Sequence, residues 1–166
     1  NRITALDLSS AMLSKAAEKL EDRLYNSEEF DDYSVKKNSL NYKIKQQKRN
    51  LEFNFKAQNM TDFYYENKFD LIVSFFDSLN YLTDIDQLQN CFESAASSLS
   101  RDGLFIFDMN SIGRIKTIEE KSFVIEGDSY ECFREDIVKP EEDLWQGKLK
   151  ICPDNDALPC FEESHN

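Results

Sequence analysis

Glycine is scarce in this 166-residue chain and unevenly placed: all four glycines, at 103, 113, 127 and 147, follow residue 102. The first 102 residues therefore hold no glycine-rich turn of the kind that brings backbone N–H groups against a phosphate or cofactor, where a Cβ would clash. Histidine occurs once, at His165, and tryptophan once, at Trp145. None of Cys91, Cys132, Cys152 and Cys160 forms a C-x-x-C pair, the core of zinc-ribbon and dithiol redox motifs. No stretch approaches the roughly 18 apolar residues of a membrane helix, and no charged leader precedes an apolar run, so neither a membrane span nor a signal peptide is expected. Positive charge is also in deficit, with 20 Lys and Arg against 32 Asp and Glu and a net charge of −12. Such a surface repels phosphate backbones, so nucleic acid is not an expected partner.

What is present suits one domain with a real core: 40% apolar residues, including 13 Phe and 7 Tyr. Cys91 falls in a helical pattern and Cys132 in a strand pattern. Reduced, partly buried thiols in a cytoplasmic protein are the expectation. Cys152, Cys160 and His165 could be drawn as a zinc site, but the spacing is loose and lacks an obvious fourth ligand, so no metal is expected.

Along the chain, Ile3-Thr4-Ala5-Leu6-Asp7-Leu8 reads as a buried parallel strand with an acid near its end. Ser9 or Ser10 caps a helix whose apolar face is Leu13, Ala16 or Ala17, Leu20 and Leu24. Residues 26–50 read as a polar insertion or long loop, with a frayed helix as an option in its second half. That stretch carries a basic cluster of Lys36, Lys37, Lys43, Lys45, Lys48 and Arg49. Leu51–Ala57 alternates like a strand, and Leu71–Phe76 reads as a central strand covered on both faces. Thr83 is expected to cap the next helix, with Leu88, Phe92, Ala95 or Ala96 and Leu99 buried, and Arg101-Asp102-Gly103 to end it in a turn. Leu104–Asp108 is another buried strand ending in an acid. Three further strands, Ser122–Glu126, Tyr130–Val138 and Leu144–Cys152, form an antiparallel meander.

A strand ending in Asp before a capped helix is how nucleotide-binding α/β folds hold a ribose, the carboxylate accepting from the vicinal hydroxyls. Alone this is weak, because Asp is common at strand ends. The order of elements is more specific. ITALDLSSAMLSKAAEKL resembles the second strand and following helix of class I S-adenosylmethionine-dependent methyltransferases. NFKAQNMTDFYYENKFDLIVSFFDSLNYL resembles their third strand, adenine loop and fourth strand, and LQNCFESAASSLSRDGLFIFDMNS their crossover and fifth strand. FDSLNYL and CFEESHN resemble a small-molecule subgroup with an antiparallel sheet after the fifth strand. The fold implied is α/β, a partial Rossmann-like methyltransferase sheet (1–25 and 51–110) with an added antiparallel β meander over 120–166. The glycine-rich loop and the last strands of that family have no counterpart here, so the reading expects an incomplete domain, with a short strand and Gly-x-Gly turn upstream.

The resemblance implies S-adenosylmethionine as cofactor and a small-molecule methyl acceptor. Asp7 would hold the ribose, and Leu8 and Met12 would pack near the adenosine. Asn59 stands where the family usually has an Asp for the adenine amino group, and Met60 would offer its backbone N–H and side chain to the ring. Phe75 and Phe76 would lie by the methionine part, where an aromatic face favours a sulfonium; core packing is the alternative for either. Any proton removal from the acceptor would fall to Asp77, Asn80, Tyr81 or His165. Tyr130, Phe133 and Trp145 of the meander could cover the acceptor. Two rival readings stand: an NAD-type dinucleotide oxidoreductase, which Asp7 suits equally, and a non-catalytic methyltransferase-like partner protein.

Overall fold

In a computed structural model, the opening apolar run forms strand β1 (Arg2–Asp7). The structure describes residues 2–26, 33–37, 41–46, 51–66, 68–155 and 157–165. Ser9 then caps helix α1 (Ser10–Tyr25), its hydroxyl accepting the Met12 N–H at 3.3 Å. This is the N-cap geometry that short hydroxyl side chains favour. Leu13, Ala17 and Leu24 lie on one face at helical spacing and are buried.

The polar stretch after α1 is not a long loop. It contains strands β2 (Tyr33–Lys37) and β3 (Asn41–Gln46), paired antiparallel as a hairpin. β3 pairs antiparallel with β4 (Leu51–Ala57), which runs parallel to β1, giving a sheet in the order β1-β4-β3-β2. The reason lies at one position. Ile44 is fully buried and joins Leu13, Ala17, Leu24 and Phe55 in a single apolar cluster. In β3 the apolar or aromatic Tyr42 and Ile44 alternate with Lys43 and Lys45, a period of two that the high polarity of the segment hides. Lys48 and Arg49 of the basic cluster fall outside the described residues, and of Lys36, Lys37, Lys43 and Lys45 only the backbone is described.

Strand β5 (Phe69–Ser74) pairs with β6 (Leu99–Phe107) in a two-stranded sheet. It is not covered on both faces, since Leu71 and Val73 are each 51% exposed. Helix α2 (Ile85–Ser98) is capped by Asp84 rather than Thr83: the Asp84 carboxylate accepts from the N–H groups of Asp86 at 2.7 Å and Gln87 at 3.4 Å. Its buried side is made of small residues, Cys91, Ala95 and Ser98. The helix gives way directly to β6, which takes in Arg101, Asp102 and Gly103, so the expected turn is absent and Gly103 has no left-handed backbone.

Chain contacts divide the protein into two units: residues 1–70 with 89–102, and residues 71–88 with 103–166. In the second unit a short helix α3 (Ile112–Ile115), capped by Ser111, precedes the expected meander of β7 (Lys121–Glu126), β8 (Tyr130–Lys139) and β9 (Leu144–Pro153). A fourth strand, β10 (Phe161–His165), pairs antiparallel with β9 and completes the order β10-β9-β8-β7. The registers align Phe123, Arg134, Leu149 and Glu163 across the sheet, and Lys121, Asp136, Gly147 and His165 in a second row on the same face.

That register corrects the expectation for two cysteines. Cys152 and Cys160 are the next cross-strand neighbours beyond the Ile151–Phe161 pair, and they are joined by a disulfide with Cα atoms 4.3 Å apart. Cross-strand neighbours in an antiparallel pair stand about 4.5–5.5 Å apart, so the pairing of β9 with β10 itself brings the two sulfurs together. Cys91 and Cys132 are free and buried, as expected. No group of three potential metal ligands exists among the described residues.

Ile44→Ala should lower stability by about 2–4 kcal/mol, read from urea unfolding. A solvated loop residue would move it by less than about 0.5 kcal/mol.

Candidate functional site

In the first unit Asp7 ends β1 at the carboxyl edge of the parallel β1–β4 pair. Its Oδ1 accepts the Ser9 N–H at 2.7 Å and its carbonyl accepts the Gln58 N–H at 3.0 Å. These bonds fix the carboxylate against the start of α1 and tie β1 to the loop after β4. Oδ2 accepts no hydrogen bond among the described residues. Leu8 and Met12 flank the carboxylate in sequence and are 69% and 61% exposed. An open carboxylate oxygen with uncovered apolar side chains beside it fits a ribose and its base.

The loop after β4 is held by α2. The Ser94 hydroxyl accepts the Phe63 N–H at 3.4 Å and donates to the Thr61 carbonyl at 3.3 Å. The fully buried Ser98 hydroxyl accepts the Tyr65 N–H at 3.2 Å, and Lys68 donates to the Ser97 carbonyl at 2.7 Å. Sequence reasoning missed this serine row; its signal was three serines on a helix whose stripe otherwise held small apolar residues. Asn59 is exposed, but its Oδ1 already accepts the Thr61 N–H at 3.0 Å, closing a turn within the loop. That leaves one lone pair of the amide oxygen and the NH2 group for a base. Met60 is half-buried.

In the second unit the chain leaves β5 through a strained turn. Phe76 and Asp77, neither a glycine, have φ of 60° and 58°. The left-handed region costs an L-residue roughly 1–2 kcal/mol. The turn is held by Asp108, just beyond β6, whose carboxylate accepts the Phe76 N–H at 3.2 Å and the Asp77 N–H at 2.9 Å. Phe75 is 47% and Phe76 93% exposed, so neither is a core residue. Leu79, buried among polar neighbours in the chain, anchors the 3-10 turn Ser78–Tyr81 that follows.

Asn80 is engaged twice. Its amide NH2 donates to the Asn110 carbonyl at 3.2 Å and its Oδ1 accepts the Asn110 N–H at 2.8 Å. This reciprocal pair latches the turn to the segment after β6, a positioning role. Tyr81 is half-exposed, and its phenol is pushed above the ordinary value of 10.0 by partial burial first, then by the negative charges of Glu163 and Asp77. At neutral pH it is a hydrogen-bond donor rather than a phenolate base. Glu163 of β10 was not singled out in the sequence, yet its charge bears on Tyr81. His165 ends β10 opposite Gly147; its side chain lies outside the described residues. Of the meander aromatics, Tyr130 and Trp145 share a face by register and Phe133 does not. Trp145 lies in line with Val138 on the side of Asp136, whereas Phe133 points to the other side.

The fold is that of the class I S-adenosylmethionine-dependent methyltransferases. An S-adenosylmethionine-dependent methyltransferase from Clostridium acetobutylicum ATCC 824 superposes with a TM-score of 0.70 at 24% identity, over 99% of this chain and 56% of that one. The sugar N-methyltransferase KedS8 from Streptoalloteichus sp ATCC 53650 does so with a TM-score of 0.63 at 17% identity, over 98% and 54% of the two chains. Among curated proteins, one of Geobacillus sp. (strain WCH70), named as a putative methyltransferase, is 30% identical over 84 residues, 51% of this chain and 34% of that protein. The chain thus spans about half the length of the solved structures and a third of the curated relative. No family model matches the sequence. No helix among the described residues is long and apolar enough to cross a membrane.

Two outcomes are expected. Phe76→Gly should stabilise the protein by roughly 0.5–1 kcal/mol, the left-handed cost less the extra chain entropy of glycine; an unchanged or lower urea midpoint would show that Phe76 is not strained. In a high-pH titration with Tyr81→Phe as the reference, Glu163→Gln should move the Tyr81 midpoint down toward 10.0. Because the folded value is raised, the stability it contributes is complete below the unfolded value and is lost as pH climbs through the folded one.

Proposed function

We propose that this chain serves methyl transfer from S-adenosylmethionine to a small-molecule acceptor. The observation that carries the reading is Asp7: a carboxylate at the carboxyl edge of a parallel strand pair, with Oδ2 open and the exposed Leu8 and Met12 beside it. In this reading Asp7 accepts the ribose hydroxyls, Leu8 and Met12 pack on the nucleoside, and Met60 with Asn59 borders the adenine. When bound, the cofactor supplies a methyl group on a sulfonium that leaves as a neutral thioether, so the protein mainly has to align and desolvate the reactants.

The second unit would serve the acceptor. Phe75 and Phe76 offer aromatic faces that favour a cation. Tyr81 donates a hydrogen bond, and Asp77 is the carboxylate of that turn able to take a proton from an acceptor that must lose one. Asn80, engaged with Asn110, holds the turn in place. His165 belongs to the same proposal by its place on β10, two residues from Glu163. The likeness to a protein named as a sugar N-methyltransferase is in keeping with a small polar acceptor. A cytoplasmic setting is part of the reading; there the Cys152–Cys160 bond would face a reducing thiol pool.

Calorimetric titration with S-adenosylhomocysteine tests the proposal. The full chain should bind it, and Asp7→Ala should weaken binding about 10–100-fold, the worth of charge-assisted hydrogen bonds of roughly 1.5–3 kcal/mol. Equal affinity in the variant would remove Asp7 from the site. Preferential binding of NAD would replace the reading with the dinucleotide one.

A further inference from the structure

The second unit holds a disulfide that the proposed reaction does not use. Cys152 lies in β9, and Cys160 stands immediately before β10, eight residues on in the chain. The strand it secures is slight. β10 has five residues and, among the described residues, one hydrogen-bonded neighbour. None of its described side chains is buried: Phe161 is 58% exposed, and Glu162, Glu163 and Ser164 are exposed as well. The strand therefore draws little on apolar burial, the dominant favourable contribution to folding. The ion pair of Lys150 with Glu162, at 3.2 Å, joins two exposed side chains and adds little. In the loop before Cys160, the Leu158 and Ala157 N–H groups bond only to Asn155 of the same loop. Edge elements with few apolar contacts are the ones that open first.

What β10 delivers is Glu163, whose negative charge bears on Tyr81 together with that of Asp77. The disulfide is open to a reductant, since Cys160 is exposed and Cys152 half-buried, whereas the free thiols of Cys91 and Cys132 are buried. A dithiol can reach Cys160 Sγ. Its thiolate attacks that sulfur, the S–S bond breaks, and Cys152 leaves as a thiolate that takes up a proton. The second thiol of the reductant then displaces Cys160, which is protonated in turn. The protein gains two electrons and two protons, and the dithiol becomes a disulfide.

We propose that the Cys152–Cys160 disulfide is a redox switch: oxidised, it holds β10 on β9; reduced by a dithiol, it releases β10 and withdraws Glu163 from Tyr81. The release of β10 stands apart from the methyltransferase reading, on which only its consequence for the acceptor side rests.

Thiol titration of the unfolded chain, purified in air, comes first. It should find two free thiols without reductant and four after dithiothreitol; four at the outset overturns the proposal. Hydrogen exchange read by mass spectrometry then follows the peptide that covers β10. Reduction should speed its exchange roughly tenfold or more while peptides of β7 and β8 keep theirs. Cys152→Ser with Cys160→Ser should exchange like the reduced protein, with or without dithiothreitol. In the high-pH titration this double variant should move the Tyr81 midpoint down, as Glu163→Gln does, and adding Glu163→Gln to it should cause no further movement. Unchanged exchange at β10 on reduction overturns the proposal, as does a Tyr81 midpoint that stays in place in the double variant. Exchange that rises equally across β7 and β8 overturns it too, because the bond would then support the whole sheet. S-adenosylhomocysteine binding is measured in both redox states; its absence from both sinks the methyltransferase reading and leaves the switch standing.

Discussion

A carboxylate at the end of one strand holding two backbone N–H groups at the end of its neighbour is the contact on which the turn after β5 depends. Without Asp108, Phe76 and Asp77 would have no reason to remain left-handed, since each would relax to a right-handed or extended conformation. The strain sets where Phe76 projects and where the Ser78–Tyr81 turn begins, and the Asn80–Asn110 pair then fixes the far end of that turn. Asp7 occupies the equivalent place at the end of β1 but is half-used: one oxygen holds the start of α1 and the other stays open. The two strand-end acids differ in the number of backbone donors each meets, two for Asp108 and one for Asp7.

Much of this was legible in the residues. The alternation and apolar runs marked β1, β4, β5 and the three strands of the meander, and Ser9 marked the start of α1. What stayed hidden had physical causes. The hairpin β2–β3 depends on one buried side chain, Ile44, set among lysines, so composition pointed to solvent while the period of two pointed to a strand. The cap of α2 moved one residue, because Asp84 reaches two backbone donors and leaves Thr83 no part in the cap. The disulfide depended on the register of β10 against β9, a long-range fact that spacing alone does not carry.

The candidate residues divide in the same way. Asp7, Leu8 and Met12 were readable because strand, acid and helix cap follow one another in sequence. The serines of α2 were not, because the segments that Ser94 and Ser98 hold lie some thirty residues away in the chain. Asn59 also accepts the Thr61 N–H within its own loop, a contact two residues along the chain that leaves one lone pair of its amide oxygen for a base. The NAD-type reading shares Asp7 with the methyltransferase one, and the docked loop carrying Asn59 and Met60 is the feature that a dinucleotide site would not require.

The covalent link between Cys152 and Cys160 has a consequence for fidelity. β10 is a five-residue edge strand with one hydrogen-bonded neighbour among the described residues. Sliding it by a single position would exchange its two sides, turning Ser164 toward Tyr81 and sending Glu163 away. A bond just before the first residue of the strand forbids that slip, so the cystine acts as an index mark that keeps the correct side chains facing the correct way.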